Sequence, residues 1–374
     1  MGQKIKHREI YQFQYNGESF ALNVSSSKAF ALDELNSTII SLSNQYSRVQ
    51  ISEILKGQYP ENEINQRLDN IFEGYEEDND NSEMGPYLCY TLVLHPSRRC
   101  ISCKYCFGTS PNIIKKGIDF NTAKKAIDCF INQLAPDGKK YIIDLSGSGE
   151  PLIRFDLVKD IYNYCQEIRE KLDRDILVTF VTNGTLLKKE QIDFLMSTDI
   201  LFGVSLDGPV EINDDLRIFR DGRGTYKNII GNCIQIEGYD HLGFAVTLTG
   251  KHPNVKEIFL TLYDLKMADA ISIRPVRYDN GNYSINKNNI REVKENYDTF
   301  MEFLLEQTLA GNAGYLYTIL NGEDFLGKFL KIIFCQDMLS TRCDAGKSRF
   351  SVNYNGDIYV CPVLLDNPNL HGYL

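Results

Sequence analysis

From Tyr87 onward, short apolar runs alternate with amphipathic stretches, and this alternation constrains the fold more than any single residue. The strand candidates are Leu88–Leu94, Tyr141–Leu145, Ile176–Thr182, Leu201–Ser205, Phe244–Leu248 and Ala270–Pro275. Between them lie the helical stretches Thr122–Leu134, Asp156–Leu172, Lys189–Met196, Tyr226–Ile236 and Asn254–Leu265. Strands separated by helices pair in parallel, because each helix carries the chain back to its starting edge. Six such units in order predict an α/β fold class, a partial (β/α)6 TIM-like barrel over residues 87–285. Function in such folds sits at the carboxyl ends of the strands.

Other regions flank this barrel. Residues 1–75 read as a small winged-helix-like module, with strands at Tyr11–Tyr15, Ser19–Val24 and Lys28–Leu32 and a turn at Asn16-Gly17. Asp33 is placed to cap a helix over Glu34–Leu42, and Ile51–Lys56 and Glu61–Tyr75 have helical apolar spacing. Residues 76–86 are acidic and lack an apolar anchor, as a linker does. Residues 286–333 form a helical bridge, and 334–374 a short tail with a hairpin signal at Asn355-Gly356.

The chemistry is concentrated in the loop after the first barrel strand, Pro96-Ser97-Arg98-Arg99-Cys100-Ile101-Ser102-Cys103-Lys104-Tyr105-Cys106. Thiolates at C-x2-C-x2-C spacing suit three corners of an iron–sulfur cube, as in bacterial ferredoxins. The fourth ferredoxin position is Ser110, so one iron stays open for a ligand. Structural zinc takes four ligands in two separated pairs and fits this loop poorly. Small and polar runs follow the next three strands: Gly147-Ser148-Gly149-Glu150-Pro151, Thr182-Asn183-Gly184-Thr185 and Ser205-Leu206-Asp207-Gly208-Pro209, with Arg217, Gly222 and Gly224 beyond. Small residues admit a ligand close to the backbone, and Arg217 is suited to gripping a carboxylate through two parallel bonds. All of these runs fall on the rim that carries the cysteines.

Together these runs resemble the radical S-adenosylmethionine (AdoMet) enzymes of the SPASM/twitch subgroup, above all maturases of ribosomally made peptides. The resemblance implies that Cys100, Cys103 and Cys106 hold a [4Fe–4S] cluster whose open iron is chelated by AdoMet. It implies that Ser148, Gly149 and Glu150 contact the methionyl amine and that Tyr105 contacts adenine. Asn183, Ser205 and Arg217 match positions lining the cofactor cleft. The family spacing is C-x3-C-x2-C, so this loop is one residue tighter, with Arg99 where the first cysteine would be. Cys343-x12-Gly356-x4-Cys361-Pro362 matches the opening of the SPASM pattern and implies an auxiliary [4Fe–4S] cluster on Cys343 and Cys361. The second cysteine-rich run is absent before Leu374, so either the sequence is a fragment or the auxiliary site is incomplete. Cys335 reads equally as a further ligand or a buried thiol. Cys89, Cys129, Cys165 and Cys233 read as buried thiols.

The implied activity is reductive cleavage of AdoMet to a 5′-deoxyadenosyl radical that abstracts hydrogen from a precursor peptide, with thioether formation as the outcome. The alternatives are Cys or Ser oxidation of the sulfatase-maturase kind and a non-catalytic peptide-binding scaffold with a degenerate cluster. The N-terminal module resembles elements that bind a leader peptide by strand addition. The partners implied are that precursor peptide and a reductant such as flavodoxin or ferredoxin. A net charge of -10 argues against nucleic acid. No signal-peptide pattern and no apolar run of membrane-spanning length occur, so a cytoplasmic location and reduced cysteines are expected. The five histidines read as structural or surface residues, and no catalytic base is assigned.

Overall fold

The computed structural model describes residues 10–362 apart from 16, 24–27, 44, 73–88, 98–100, 107–115, 148, 237–238, 240–241, 278–280, 323, 336–344 and residue 363 onward. The chain divides into two compact units, Met1–Met84 with Lys328–Thr341, and Gly85–Gly327 with Arg342–Leu374. The acidic stretch around Glu76–Glu83 lies outside the described residues.

In the first unit, β1 (Ile10–Tyr15), β2 (Glu18–Asn23) and β3 (Lys28–Ala31) form an antiparallel sheet in chain order. Gly17, at φ +82, makes the tight turn that sets Phe13 opposite Phe20. Three helices follow: α1 (Glu34–Ser43), α2 (Arg48–Leu55) and α3 (Glu61–Phe72). The Asp33 carboxylate accepts from the Asn36 amide at 2.8 Å, as an N-cap should. α2 begins three residues before the periodicity predicts, because Ser47 and Gln50 form a reciprocal capping box there. Ile64, Leu68, Ile71 and Phe72 of α3 are buried with Ile39, Ile51 and Leu55 in one core. Each such side chain contributes about 1.5–3 kcal/mol on burial.

The second unit is built from β4 (Cys89–Leu94), β5 (Ser102–Cys103), α4 (Phe120–Cys129), β6 (Lys140–Asp144), α5 (Phe155–Leu172) and β7 (Asp175–Thr182). It continues through α6 (Lys189–Met196), β8 (Leu201–Ser205), α7 (Val210–Leu216), β9 (Arg217–Ile218) and α8 (Tyr226–Cys233). β10 (Leu242–Leu248), α9 (Val255–Asp264), β11 (Ala270–Pro275), α10 (Ile290–Leu309) and α11 (Gly314–Asn321) follow, and α12 (Phe325–Cys335) begins in this unit and continues into the Lys328–Thr341 segment of the first. The hairpin of β12 (Arg349–Val352) and β13 (Ile358–Tyr359) completes the described chain.

β4, β6, β7, β8, β10 and β11 pair in parallel in chain order, the arrangement predicted from the alternation. Alternate residues of β7 (Ile176, Val178, Phe180, Thr182) and of β10 (Leu242, Phe244, Val246, Leu248) are buried, while the residues between them are half-buried. A parallel sheet covered on both faces reads as a continuous apolar run. Here one face is sealed and the other stays partly open. The sheet is open at its ends, running β11-β10-β8-β7-β6-β4-β12-β13. Among the described residues the strand order is that of a parallel sheet that does not close on itself.

Two features depart from expectation. β12 pairs in parallel with β4, setting Arg349 against Thr91, so the tail hairpin extends the main sheet. Cys165 and Cys233 are buried as expected, whereas Cys89 is exposed and Cys129 half-buried. Burial in β4 begins only at Leu92, which leaves Cys89 at the exposed strand start. The Cys129 thiol approaches Gln133 Oε1 at 3.6 Å, where the helix gives way to a π-turn over Phe130–Leu134.

Candidate active site

The cysteine loop leaves β4 at His95 and returns to it at Ile118, whose amide donates to the His95 carbonyl at 2.9 Å. A Cβ on Gly117 would lie 1.9 Å from the Pro96 carbonyl oxygen, so only glycine lets the two limbs meet. His95 is buried and its Nε2 lies 2.9 Å from Ser351 Oγ on β12. Burial lowers its pKa from 6.5 to about 4. The ring packs where a Cβ on Gly147 would be, 2.5 Å away, which ties the loop after β6 to the neck of the cysteine loop.

Glu150 joins the next loops. Its amide donates to Ser97 Oγ at 3.0 Å, and Ser97 Oγ donates in return to the Glu150 carbonyl. Its carboxylate accepts from Thr182 Oγ1 at 2.7 Å, the Asn183 amide at 2.7 Å and the Leu152 amide at 3.1 Å. One buried residue thus ties together the carboxyl ends of β4, β6 and β7, through its backbone to Ser97 and its carboxylate to Leu152, Thr182 and Asn183. Burial pushes its pKa up, and the donors from Asn183, Thr182 and Leu152 pull the other way.

A second buried connection joins the cysteine loop to β8 and β10. Within the loop, the Cys106 amide donates to the Cys103 carbonyl at 3.2 Å, and both thiols are half-buried. β5 pairs antiparallel with β9, which sets Cys103 opposite Arg217. Between the two cysteines, the Tyr105 hydroxyl donates to Asp207 Oδ2 at 2.7 Å and accepts from Arg217 Nη1 at 2.5 Å. Asp207 Oδ1 accepts from the Thr247 amide of β10 at 2.9 Å. Burial raises the pKa of Tyr105 and of Asp207, with Arg217 opposing both shifts. Burial works against the Arg217 charge, but Cys103, Tyr105 and Asp207 more than offset it. Arg217 Nε is buried and has no hydrogen-bond partner among the described residues.

The outer side of the loop is held by charge. Asp215 Oδ1 takes Lys104 Nζ at 2.8 Å, and its Oδ2 takes Lys251 Nζ and His252 Nε2, each at 2.7 Å. Burial pushes this carboxyl up, but His252, Lys104 and Lys251 hold it well below the usual range.

The structure thus brings Cys103, Cys106, Tyr105, Glu150, Asn183 and Arg217 to one sheet edge. Gly149 adjoins them, and Ser205 is half-buried at the end of β8. Cys100, Ser148 and Cys343 lie outside the described residues, as does the side chain of Cys335. Cys361 is half-buried just past β13. Gly222 and Gly224 shape a turn closed by the Gly222 amide on the Phe219 carbonyl. The Asn183 side chain accepts from Thr185 N at 2.9 Å and so forms an Asx turn. Sequence reasoning did not single out Ser97, Lys104 or Asp215. Ser97 follows a proline in the cysteine loop and Asp215 directly precedes Leu216-Arg217, but neither position carries a local signal of its partner.

Residues 96–258 match the Radical SAM superfamily. The chain contains a radical SAM domain. This radical SAM chain is 22% identical over 304 residues to a cysteine-type anaerobic sulfatase-maturating enzyme of Clostridium novyi, covering 76% of each. It shares its fold with anSMEcpe with bound AdoMet, at TM-score 0.60 and 18% identity over 74% of this chain and 75% of that one. It is also similar to SuiB of Streptococcus suis bound to precursor peptide SuiA, at TM-score 0.52 and 16% identity over 98% and 84%. The family uses a [4Fe–4S] cluster and AdoMet. Two soft, half-buried sulfurs in one tight turn suit the cluster. The buried guanidinium with a spare N–H suits an anionic group of AdoMet. Among the described residues no helix is long and apolar enough to cross a membrane.

Proposed function

We propose that this radical SAM enzyme matures a ribosomal precursor peptide, with Cys100, Cys103 and Cys106 as cluster ligands. The chemistry the bound pair supplies is one-electron cleavage of the sulfonium to a 5′-deoxyadenosyl radical, which abstracts hydrogen from the peptide. The single observation that carries the reading is the convergence of loops on the cysteine turn through Ser97–Glu150–Asn183 and Tyr105–Asp207–Arg217. Glu150 orients the loops after β6 and β7, so that their backbone groups face one cleft. Arg217, pinned by Tyr105, offers its remaining N–H groups to the AdoMet carboxylate. Ser148, Gly149, Asn183 and Ser205 complete the cofactor cleft.

The peptide reading is supported by the three-stranded, three-helix N-terminal unit, whose outer strands give edges for strand addition. SuiB, similar over 98% of this chain, has been solved with its precursor peptide SuiA. The outcome we favour is thioether formation on a Cys-containing peptide, in the cytoplasm, with an external protein reductant. Cys343 and Cys361 are the proposed ligands of an auxiliary cluster. The relationship to the Clostridium novyi enzyme favours a second reading, oxidation of a Cys or Ser side chain.

Anaerobically reconstituted protein should bind about four irons in the cysteine loop. Given AdoMet and dithionite, it should release 5′-deoxyadenosine. No release from protein with a full cluster overturns the radical reading. With a substrate peptide, mass spectrometry separates the outcomes: a thioether keeps the sulfur, whereas oxidation of Cys to an aldehyde loses it.

A further inference from the structure

The full chain carries a net charge of -10. Residues 96–118 carry five basic side chains, Arg98, Arg99, Lys104, Lys115 and Lys116, and no acidic one. The local charge of the cysteine loop is therefore opposite in sign to that of the protein. Among the described residues, Lys116 is exposed at the neck, and Lys104 lies between Cys103 and Cys106. The Lys104 side chain is 35% exposed. Lys251, from the loop after β10, is 44% exposed and meets Lys104 on the same carboxylate. Both ammonium groups also face the Tyr283 ring, at 6.0 and 5.6 Å from its centroid.

This cluster is over-compensated. One carboxylate, Asp215, accepts from two ammonium groups and an imidazole, so positive charge remains after pairing. The pairing also fixes the lysines in place, which lowers the side-chain entropy lost when a partner docks. A fixed, half-exposed positive patch next to two cluster ligands is suited to steering a negatively charged partner.

We propose that the Lys104–Lys251 side of the cysteine loop is the docking surface for an acidic one-electron carrier protein. The proposal rests on the radical SAM reading, which needs an electron from outside the chain. The balance is simple: the carrier loses one electron, the bound cofactor site gains it, and no atoms are transferred. A compact acidic protein need touch only this patch. A long polyanion such as nucleic acid would also meet the rest of a surface that carries net negative charge.

The test uses oxidised flavodoxin as the acidic carrier, with the full-length protein. Binding is measured by calorimetry at about 50 and about 300 mM salt, concentrations that change the screening length roughly twofold. Reduced flavodoxin and dithionite are then compared as electron sources for 5′-deoxyadenosine release. Lys251→Gln, which leaves Asp215 paired with Lys104 and His252, should weaken flavodoxin binding severalfold and flatten its salt dependence. The flavodoxin-driven rate should fall more than the dithionite-driven one. Lys171→Glu, on α5, should leave both unchanged. Wild-type affinity in the Lys251 variant, affinity independent of salt, or tighter binding to a DNA duplex than to flavodoxin overturns the proposal. A dithionite-driven rate that falls in step with the flavodoxin-driven one makes the lysines structural and overturns it too. If wild type releases no 5′-deoxyadenosine with dithionite, the radical reading fails, while the calorimetry still decides the patch.

Discussion

Two acidic residues hold the cysteine loop, by opposite physics. Glu150 is sealed from water: its backbone exchanges two hydrogen bonds with Ser97, its carboxylate accepts three from Leu152, Thr182 and Asn183, and burial raises its pKa. Asp215 is half-buried and ringed by cations, which lower its pKa. The signs have consequences. The Asp215 contribution is present above its ordinary value of 3.8 and is lost as pH falls. Ionised Glu150 instead costs the fold stability as pH rises above its ordinary 4.5. A buried acceptor gives fixed geometry regardless of salt, whereas a surface ion cluster gives a hold that the solvent can screen.

The contrast is open to direct challenge. Glu150→Ala should have the largest effect, because it strands the Thr182 hydroxyl and the Asn183 and Leu152 amides. We expect a loss of about 3–5 kcal/mol in urea denaturation and poor iron loading. A loss under about 1 kcal/mol would remove Glu150 from its central place.

His95 comes next. Its pKa falls from 6.5 unfolded to about 4 folded, so stability is intact above 6.5 and drains as pH drops toward 4. The full difference is about 3 kcal/mol. His95→Gln should flatten the acid limb of a stability-against-pH curve by that amount, and an unchanged limb would show that the ring is protonated without penalty.

Tyr105→Phe leaves Asp207 and Arg217 without the hydroxyl between them, and should cost about 1–3 kcal/mol with little salt dependence in thermal melts. Asp215→Asn should cost least, below about 1 kcal/mol at low salt and less as salt is added. If Asp215→Asn proves as costly as Glu150→Ala, the distinction between the two sides of the loop collapses.

The parallel core was legible because its signal is local and repeated. Ile176–Thr182 is a short apolar run rich in β-branched residues whose burial alternates, and Ala270–Pro275 was bounded to the residue. The cysteine spacing, Glu150 and Arg217 were legible as candidates for the same reason. Their partners were not. Tyr105 is 102 residues from Asp207 and 112 from Arg217, and no periodicity records such a pairing. The same limit hid β12: its hairpin was visible at Asn355-Gly356, but a strand's sequence does not name its neighbour. Cys89 was misplaced because thiols are usually buried, while this one precedes the apolar half of its strand.

That last neighbour has a consequence for biosynthesis. β4 is made early on the ribosome, yet its flank opposite β6 is completed only by β12. The His95–Ser351 contact spans 256 residues of chain. Until residue 352 emerges, the root of the cysteine loop stands beside an unfilled strand position and a histidine open to water. Iron delivered before then would meet an unsupported loop, so the order of synthesis favours cofactor assembly after β12 has emerged.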